Sequence, residues 1–200
     1  MTRASPARHI LCDSTFTESI HGMVGRGRGN IVLIGVGNEL RNDDGLGPLV
    51  VREIRRRSPA RITIKEESGE GTSLMQAWSG ASGVLLVDAV LSGEPPGFVH
   101  RLDAARNAVP RHFFHYSSHA FGVAEAIEMA RALHELPPIA LLYGIEGEVF
   151  EPGVGLSNSV LRSVPVLISM IEGDLLALRA NEKLGRGPSD RRYDSINRPK

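Results

Sequence analysis

Residues 31–47 read Ile31-Val32-Leu33-Ile34-Gly35-Val36-Gly37-Asn38-Glu39-Leu40-Arg41-Asn42-Asp43-Asp44-Gly45-Leu46-Gly47. The first four form a short, uninterrupted, largely β-branched run, the pattern of a strand buried on both faces. Glycines follow where the chain must turn. From Leu46 to Arg57 apolar residues return at Leu49, Val50 and Ile54 with helical spacing. Strand, glycine-rich loop and helix together make the opening unit of a parallel α/β sheet.

The same alternation continues downstream. Arg61 to Glu66 carries Ile62 and Ile64 on one side, as a strand does, and Thr72 to Ser79 gathers Leu74, Met75 and Trp78 on one helical face. Val84-Leu85-Leu86-Val87 predicts a second fully buried strand, ending at Asp88. After the turn material Gly93 to Gly97, Phe98 to Leu102 predicts another strand. Ser117 or Ser118 is placed to cap a helix from His119 to about Leu136, with Val123, Ile127, Ala130 and Leu133 as its apolar face. Ile139 to Tyr143 is the last predicted strand, and a closing helix from Ser157 or Asn158 runs through Val160, Val164, Leu167, Ile168 and Ile171. The expected fold is therefore α/β: a three-layer, mostly parallel twisted sheet of about five strands with helices on both faces. One domain over residues 30–180 is expected, flanked by a flexible extension over 1–29 and a disordered polar tail over 181–200, both short of apolar periodicity.

Composition bounds the function. The chain has 200 residues, 42% of them hydrophobic, enough for one domain with a closed core. Lys plus Arg equals Asp plus Glu at 23 each, so no overall field draws it to nucleic acid or to an anionic membrane. Cys12 is the one cysteine, which excludes an intramolecular disulfide and a cysteine-built zinc site from this chain alone. No apolar run is long enough to span a bilayer, and the first residues lack an export signal. A reducing cytoplasm is the expected compartment.

In parallel α/β sheets ligands bind outside the carboxyl ends of the strands. That rule selects Asp44 in the first loop, Asp88 at the end of a strand and His119 at the start of a helix. The positive end of a helix dipole disfavours the imidazolium, leaving a neutral ring able to bind metal. Two carboxylates and one imidazole make a mixed oxygen and nitrogen set with open positions, suited by ligand type to nickel, zinc or iron. The plainer alternative makes all three loop caps and the glycines a device for packing strand on helix. His112, His115 and His134 have no evident partner, and His9 and His21 fall in the extension. A dinucleotide site competes through Gly35-x-Gly37, but Leu40 stands at the third glycine position, and Asp43 and Asp44 put anions where a pyrophosphate needs N–H groups.

The loop from Gly35 to Gly47 is followed by Leu86-Val87-Asp88-Ala89, by Ser118-His119, by Leu142-Tyr143-Gly144-Ile145-Glu146 and by Glu151-Pro152-x-x-Gly155-Leu156-Ser157. In order and spacing these blocks resemble the hydrogenase maturation proteases over roughly residues 30–175. The resemblance implies an aspartyl-type endopeptidase that removes the C-terminal extension of a nickel-loaded hydrogenase large-subunit precursor. It implies that Asp44, Asp88 and His119 contact the nickel, with Asp44 the catalytic candidate. The nickel belongs to the substrate precursor, and no permanently bound cofactor is expected. The chain departs from the family pattern at Glu70, within Ser68 to Leu74, where many relatives have Gly-Thr-x-Gly; at Asp44 it has the shorter of two carboxylates.

No His-Glu-x-x-His helix and no core cysteine is present, so the expected nucleophile is water, bound by metal or held by Asp43 or Asp44. Phe113, Phe114, Tyr116 and Phe121 cluster in sequence around His119 as a groove lining or as core. Glu148 and Glu151 stand in the last loop, placed to orient a basic residue of a substrate. Two other classes of function stay open on the sequence: a nucleotide-binding protein, and a non-catalytic chaperone of the large-subunit tail.

Overall fold

The computed structural model describes residues 30–57, 62–110, 113 and 121–184, with side chains to 180. The expected extension over 1–29, most of the expected tail, and His119 with its neighbours Phe114 and Tyr116 lie outside the described residues.

Five strands form one sheet among the described residues: β1 (Ile31–Val36), β2 (Ile62–Glu67), β3 (Gly83–Val90), β4 (Val99–Asp103) and β5 (Ile139–Glu146). Their spatial order is β2-β1-β3-β5-β4. All pairings are parallel except β4 against β5, where an antiparallel strand closes the edge. The helices are α1 (Leu46–Arg57), α2 (Gly71–Trp78), α3 (Val123–Ala132) and α4 (Asn158–Leu184).

Strand alternation sorts the sheet's residues into two cores. Leu33, Leu85, Val87, Leu141, Tyr143 and Ile145 face α1 and α4, against Val50, Val51, Ile54, Leu167 and Ile171. Val32, Ile34, Val84, Leu86 and Leu142 face α2 and α3, against Leu74, Trp78, Val123 and Ile127. Burying each such side chain is worth about 1.5–3 kcal/mol, which holds helices to both faces without any cross-link. The three layers are those that the alternation of strands and helices implies.

Glycines permit a close approach of helix to sheet. A Cβ on Gly35 would lie 2.3 Å from the carbonyl oxygen of Gly47, and one on Gly47 would lie 2.1 Å from that of Val36 and 2.6 Å from that of Val87. α1 therefore enters directly over the ends of β1 and β3. The packing role proposed for these glycines is real and coexists with the site they frame.

Several boundaries differ from expectation. Leu49 is exposed although it shares the helical spacing of Val50 and Ile54. α3 begins at Val123 rather than His119, because extended Gly122 is its cap and the Glu125 carboxylate accepts the Gly122 N–H at 3.2 Å. β3 continues two residues past Asp88, because β5 goes on pairing with it to Val90 after β1 has stopped at Val87. α4 extends to Leu184, beyond the boundary drawn at 180.

Inside the α1/α4 layer one polar tie spans three elements. The Arg101 guanidinium on β4 donates to both carboxylate oxygens of Asp174 on α4, at 2.8 and 3.1 Å, and the Tyr143 hydroxyl on β5 donates to the same carboxylate. Paired in this way, the charges are tolerated where an isolated one would not be.

Candidate functional site

The order β2-β1-β3 means that the chain leaves β1 toward one side for β2 and toward the other for β3. A crevice opens at such a switch point, beyond the carboxyl ends of β1 and β3. The loop after β1 and the last residues of β3 form its walls.

Asp44 reaches this crevice from a single 3-10 turn, Asn42–Gly45, which packs on β3. Gly37, at φ +133°, lets the loop close, since a Cβ there would lie 1.9 Å from the Asp44 carbonyl oxygen. One Asp44 carboxylate oxygen accepts the Asn38 N–H at 3.0 Å. Burial pushes the Asp44 carboxyl above its ordinary value, opposed by the nearby Arg41 charge and the Asn38 hydrogen bond.

Asp88 comes from β3 on the face of α2 and α3, buried, with one oxygen accepting the Ala89 N–H at 2.7 Å. Its pKa is raised well above the ordinary value, first by desolvation and then by the negative charge of Asp44. The structure thus brings two of the three expected ligands into one electrostatic environment. Two desolvated carboxylates that repel each other favour sharing a proton or a cation.

His119 cannot be placed with them, because it lies outside the described residues. The described residues that flank its segment do reach the same rim: the Phe113 carbonyl accepts the Leu91 N–H just past β3, and the Phe121 carbonyl accepts the Gly71 N–H at the start of α2. Among the described residues no group of three metal-ligating side chains forms.

Asp43 corrects an expectation. It is fully buried, and its carboxylate accepts the N–H groups of Glu148 at 2.8 Å, Val149 at 2.9 Å and Ser157 at 2.6 Å. Those bonds occupy it as a tie between the first and last loops, so it does not hold the attacking water. Asn42, at φ +49°, strengthens the tie by donating from its side chain to the Glu151 carbonyl. Both loop glutamates are exposed, and Glu151 also accepts the N–H of Phe150.

Glu70 is explained by local structure. It caps α2, its carboxylate accepting the N–H groups of Thr72 and Ser73 at 3.0 and 2.8 Å and the Thr72 hydroxyl at 2.7 Å. These bonds lower its pKa to about 2.

One rim feature escaped sequence reasoning. Glu146, at the end of β5, is buried and accepts from the Ser92 hydroxyl and the Gly93 N–H, both at 2.8 Å, with His100 Nε2 at 3.2 Å. The His100 ring lies edge-on to Phe113, centroids 4.9 Å apart. Burial pushes the His100 imidazole below its ordinary value, against the pull of Glu146 and Glu94. The run Gly144-Ile145-Glu146, a carboxylate closing an apolar strand, was the available signal.

The loop geometry also bears on nucleotide binding. A phosphate on the Gly35-x-Gly37 turn would need free N–H groups, yet Asp44 already takes that of Asn38, and the turn ahead of α1 carries two carboxylates.

Comparison with known proteins gives a consistent result. The family model described as hydrogenase maturation protease matches residues 48–174. The Hydrogenase 2 maturation protease of Escherichia coli (strain K12) is 28% identical over 153 residues, covering 74% of this chain and 90% of that protein. Protein FrxA of Pyrococcus furiosus is 30% identical over 131 residues, covering 64% and 93%. Among solved structures, an endopeptidase from Escherichia coli superposes with a TM-score of 0.64 at 26% identity, covering 76% of this chain and 93% of its own. The hydrogenase maturating endopeptidase HybD from Escherichia coli shares the fold, with a TM-score of 0.60 at 22% identity over 74% of this chain and 92% of its own.

Proposed function

Because this chain belongs to the hydrogenase maturation protease family and is accordingly a peptidase, we propose that it removes the C-terminal extension of a hydrogenase large-subunit precursor, reading nickel already loaded in that precursor through Asp44, Asp88 and His119. The precursor is the protein partner, the metal arrives as part of the substrate, and the chain keeps no cofactor of its own. The work is done in the cytoplasm.

The observation that carries this reading is the Asp44 and Asp88 pair. Both carboxyls are pushed up by burial, and the Asp44 charge raises Asp88 further. An incoming divalent cation removes the repulsion and compensates the lost hydration, so the pair favours a substrate that brings one. His119 supplies the softer nitrogen donor expected for nickel. An open set of this kind holds metal only while the substrate is present.

The substrate's own nickel then fixes the register of the peptide over the rim. Water attacks the scissile carbonyl carbon while Asp44 takes a proton from that water, and Asp44 gives the proton to the leaving nitrogen as the C–N bond breaks. Asp43 takes no part, since its oxygens are occupied by backbone N–H groups.

The test is a processing assay on nickel-loaded and nickel-free precursor, read as a mass decrease of the large subunit. Asp44→Asn, Asp88→Asn and His119→Ala are expected to cut the rate at least about 100-fold, in the range of losing a general base or metal contact. Full processing by all three variants, or equal processing of nickel-free precursor by the unaltered protein, would refute the proposal.

A further inference from the structure

On the α1 and α4 side of the molecule, away from the face Asp88 occupies, a groove of 580 Å³ runs between the two helices. One end is the first loop itself, at Glu39, Asn42 and Gly45. Its floor is apolar: Leu156, Val164, Pro165 and Ile168, with Leu49 39% exposed and Val154 82% exposed along its edges. The far end is basic. Arg56 and Arg57, in the last turn of α1, share the single carboxylate of Glu53, at 3.1 and 2.8 Å. Nearer the loop, Arg52 pairs with Glu39 and Glu66.

Resting on the proposed peptidase function, we propose that this groove seats the precursor's C-terminal extension on the far side of the cut, as an extended apolar segment whose carboxylate, terminal or side-chain, meets Arg56 and Arg57.

Size, continuity and charge select this occupant. The folded body of a large subunit does not enter a slot of this volume, whereas a free chain end does. The slot is lined at one end by Asn42 and Gly45, the two ends of the turn that carries Asp44, so a peptide crossing the rim at Asp44 meets its mouth. From Leu46 to Arg57 α1 rises about 17 Å, a distance that roughly five extended residues cover. The carboxylate therefore stands about five residues past the cut. At the basic end two guanidinium groups share one carboxylate, so an arriving anion completes the pairing. The exposed ion pairs it disturbs are weak. Exposed Leu49 breaks the helical burial pattern of α1 because it borders this groove and not the core.

The experiment has two arms on the full chain. In the first, photocrosslinking p-benzoylphenylalanine replaces Leu49, Val154 or, on the opposite face, Met129, and each otherwise unaltered protein is mixed with its cognate nickel-loaded precursor and irradiated before turnover is complete. Crosslinks from positions 49 and 154 are expected within the C-terminal extension, with none from 129. Crosslinks in the precursor's body, or none from the groove, overturn the proposal. In the second arm, Arg56→Glu with Arg57→Glu is expected to raise KM for processing about tenfold while kcat stays within about twofold, and the corresponding Lys pair to recover most of the loss. An unchanged KM overturns the charge assignment. If the unaltered protein fails to cut the precursor, the proposed function falls, whereas the crosslink map still reads the groove.

Discussion

Replacing Asp88 by Asn removes a carboxyl that burial and the Asp44 charge hold well above its ordinary value of 3.8. A raised folded-state pKa means that ionisation favours the unfolded chain: the stability linked to Asp88 is full below pH 3.8 and is lost as pH rises through the folded value. Asp88→Asn is therefore expected to melt a few degrees above the unaltered protein at pH 7, a gap that closes below about pH 3.8 in thermal scans across pH. On the proposed function its processing activity is expected to fall at the same time, the signature of a group kept for function at the expense of stability. Asp43→Ala shows the opposite behaviour. It takes the acceptor from three N–H groups of the last loop, and urea titration is expected to find a loss of about 3–5 kcal/mol. These two aspartates illustrate what a sequence can and cannot disclose. Asp88 was legible because an apolar strand delivers it to the rim. The task of Asp43 was not, since its partners lie 105, 106 and 114 positions away.

At α2 the N-terminal cap is Glu70, whose carboxyl is lowered from 4.5 to about 2 by the hydrogen bonds it accepts. A depressed acid stabilises the fold above its unfolded value and loses that contribution as pH falls through the folded one. Glu70→Ala is expected to lower the melting temperature by a few degrees at pH 7, with the difference disappearing between pH 4.5 and about 2. At the start of α1, Gly47→Ala drives a methyl to 2.1 Å from the Val36 carbonyl oxygen, and the helix must lift from the sheet. The cost is expected to be at least about 3 kcal/mol in urea unfolding, at the severe end of overpacking, with processing reduced because Asp44 moves with the helix. β1, β3 and α1 were readable from periodicity because each buries an unbroken pattern. The start of α3 was misread because Ser117 and Ser118 are favoured caps, whereas the cap in use is Gly122, a residue with no side chain to announce it.

The molecule as a unit is closed by α4, whose Asp174 collects Arg101 from the edge strand and Tyr143 from β5. Asp174→Ala removes the carboxylate on which Arg101 and Tyr143 converge and is expected to cost about 3–5 kcal/mol by denaturant titration. Processing per folded molecule should persist, because the tie lies away from the crevice. Sheet layers and site edge followed from the alternation of strands and helices. Strand order did not, since hydrophobic pattern fixes which faces are buried but not which strands are neighbours, and the groove between α1 and α4 exists only once both helices are docked. The carboxylate of Asp43 joins the first loop to the last by three short bonds. Deuterium uptake at Glu148, Val149 and Ser157 should accordingly wait on opening of the whole sheet, not on breathing of one loop. With its mouth framed so stiffly, the enzyme leaves the adapting to its visitor, so on the proposed function precursors whose tails are rigidified, by proline substitution for example, are expected to be cut more slowly.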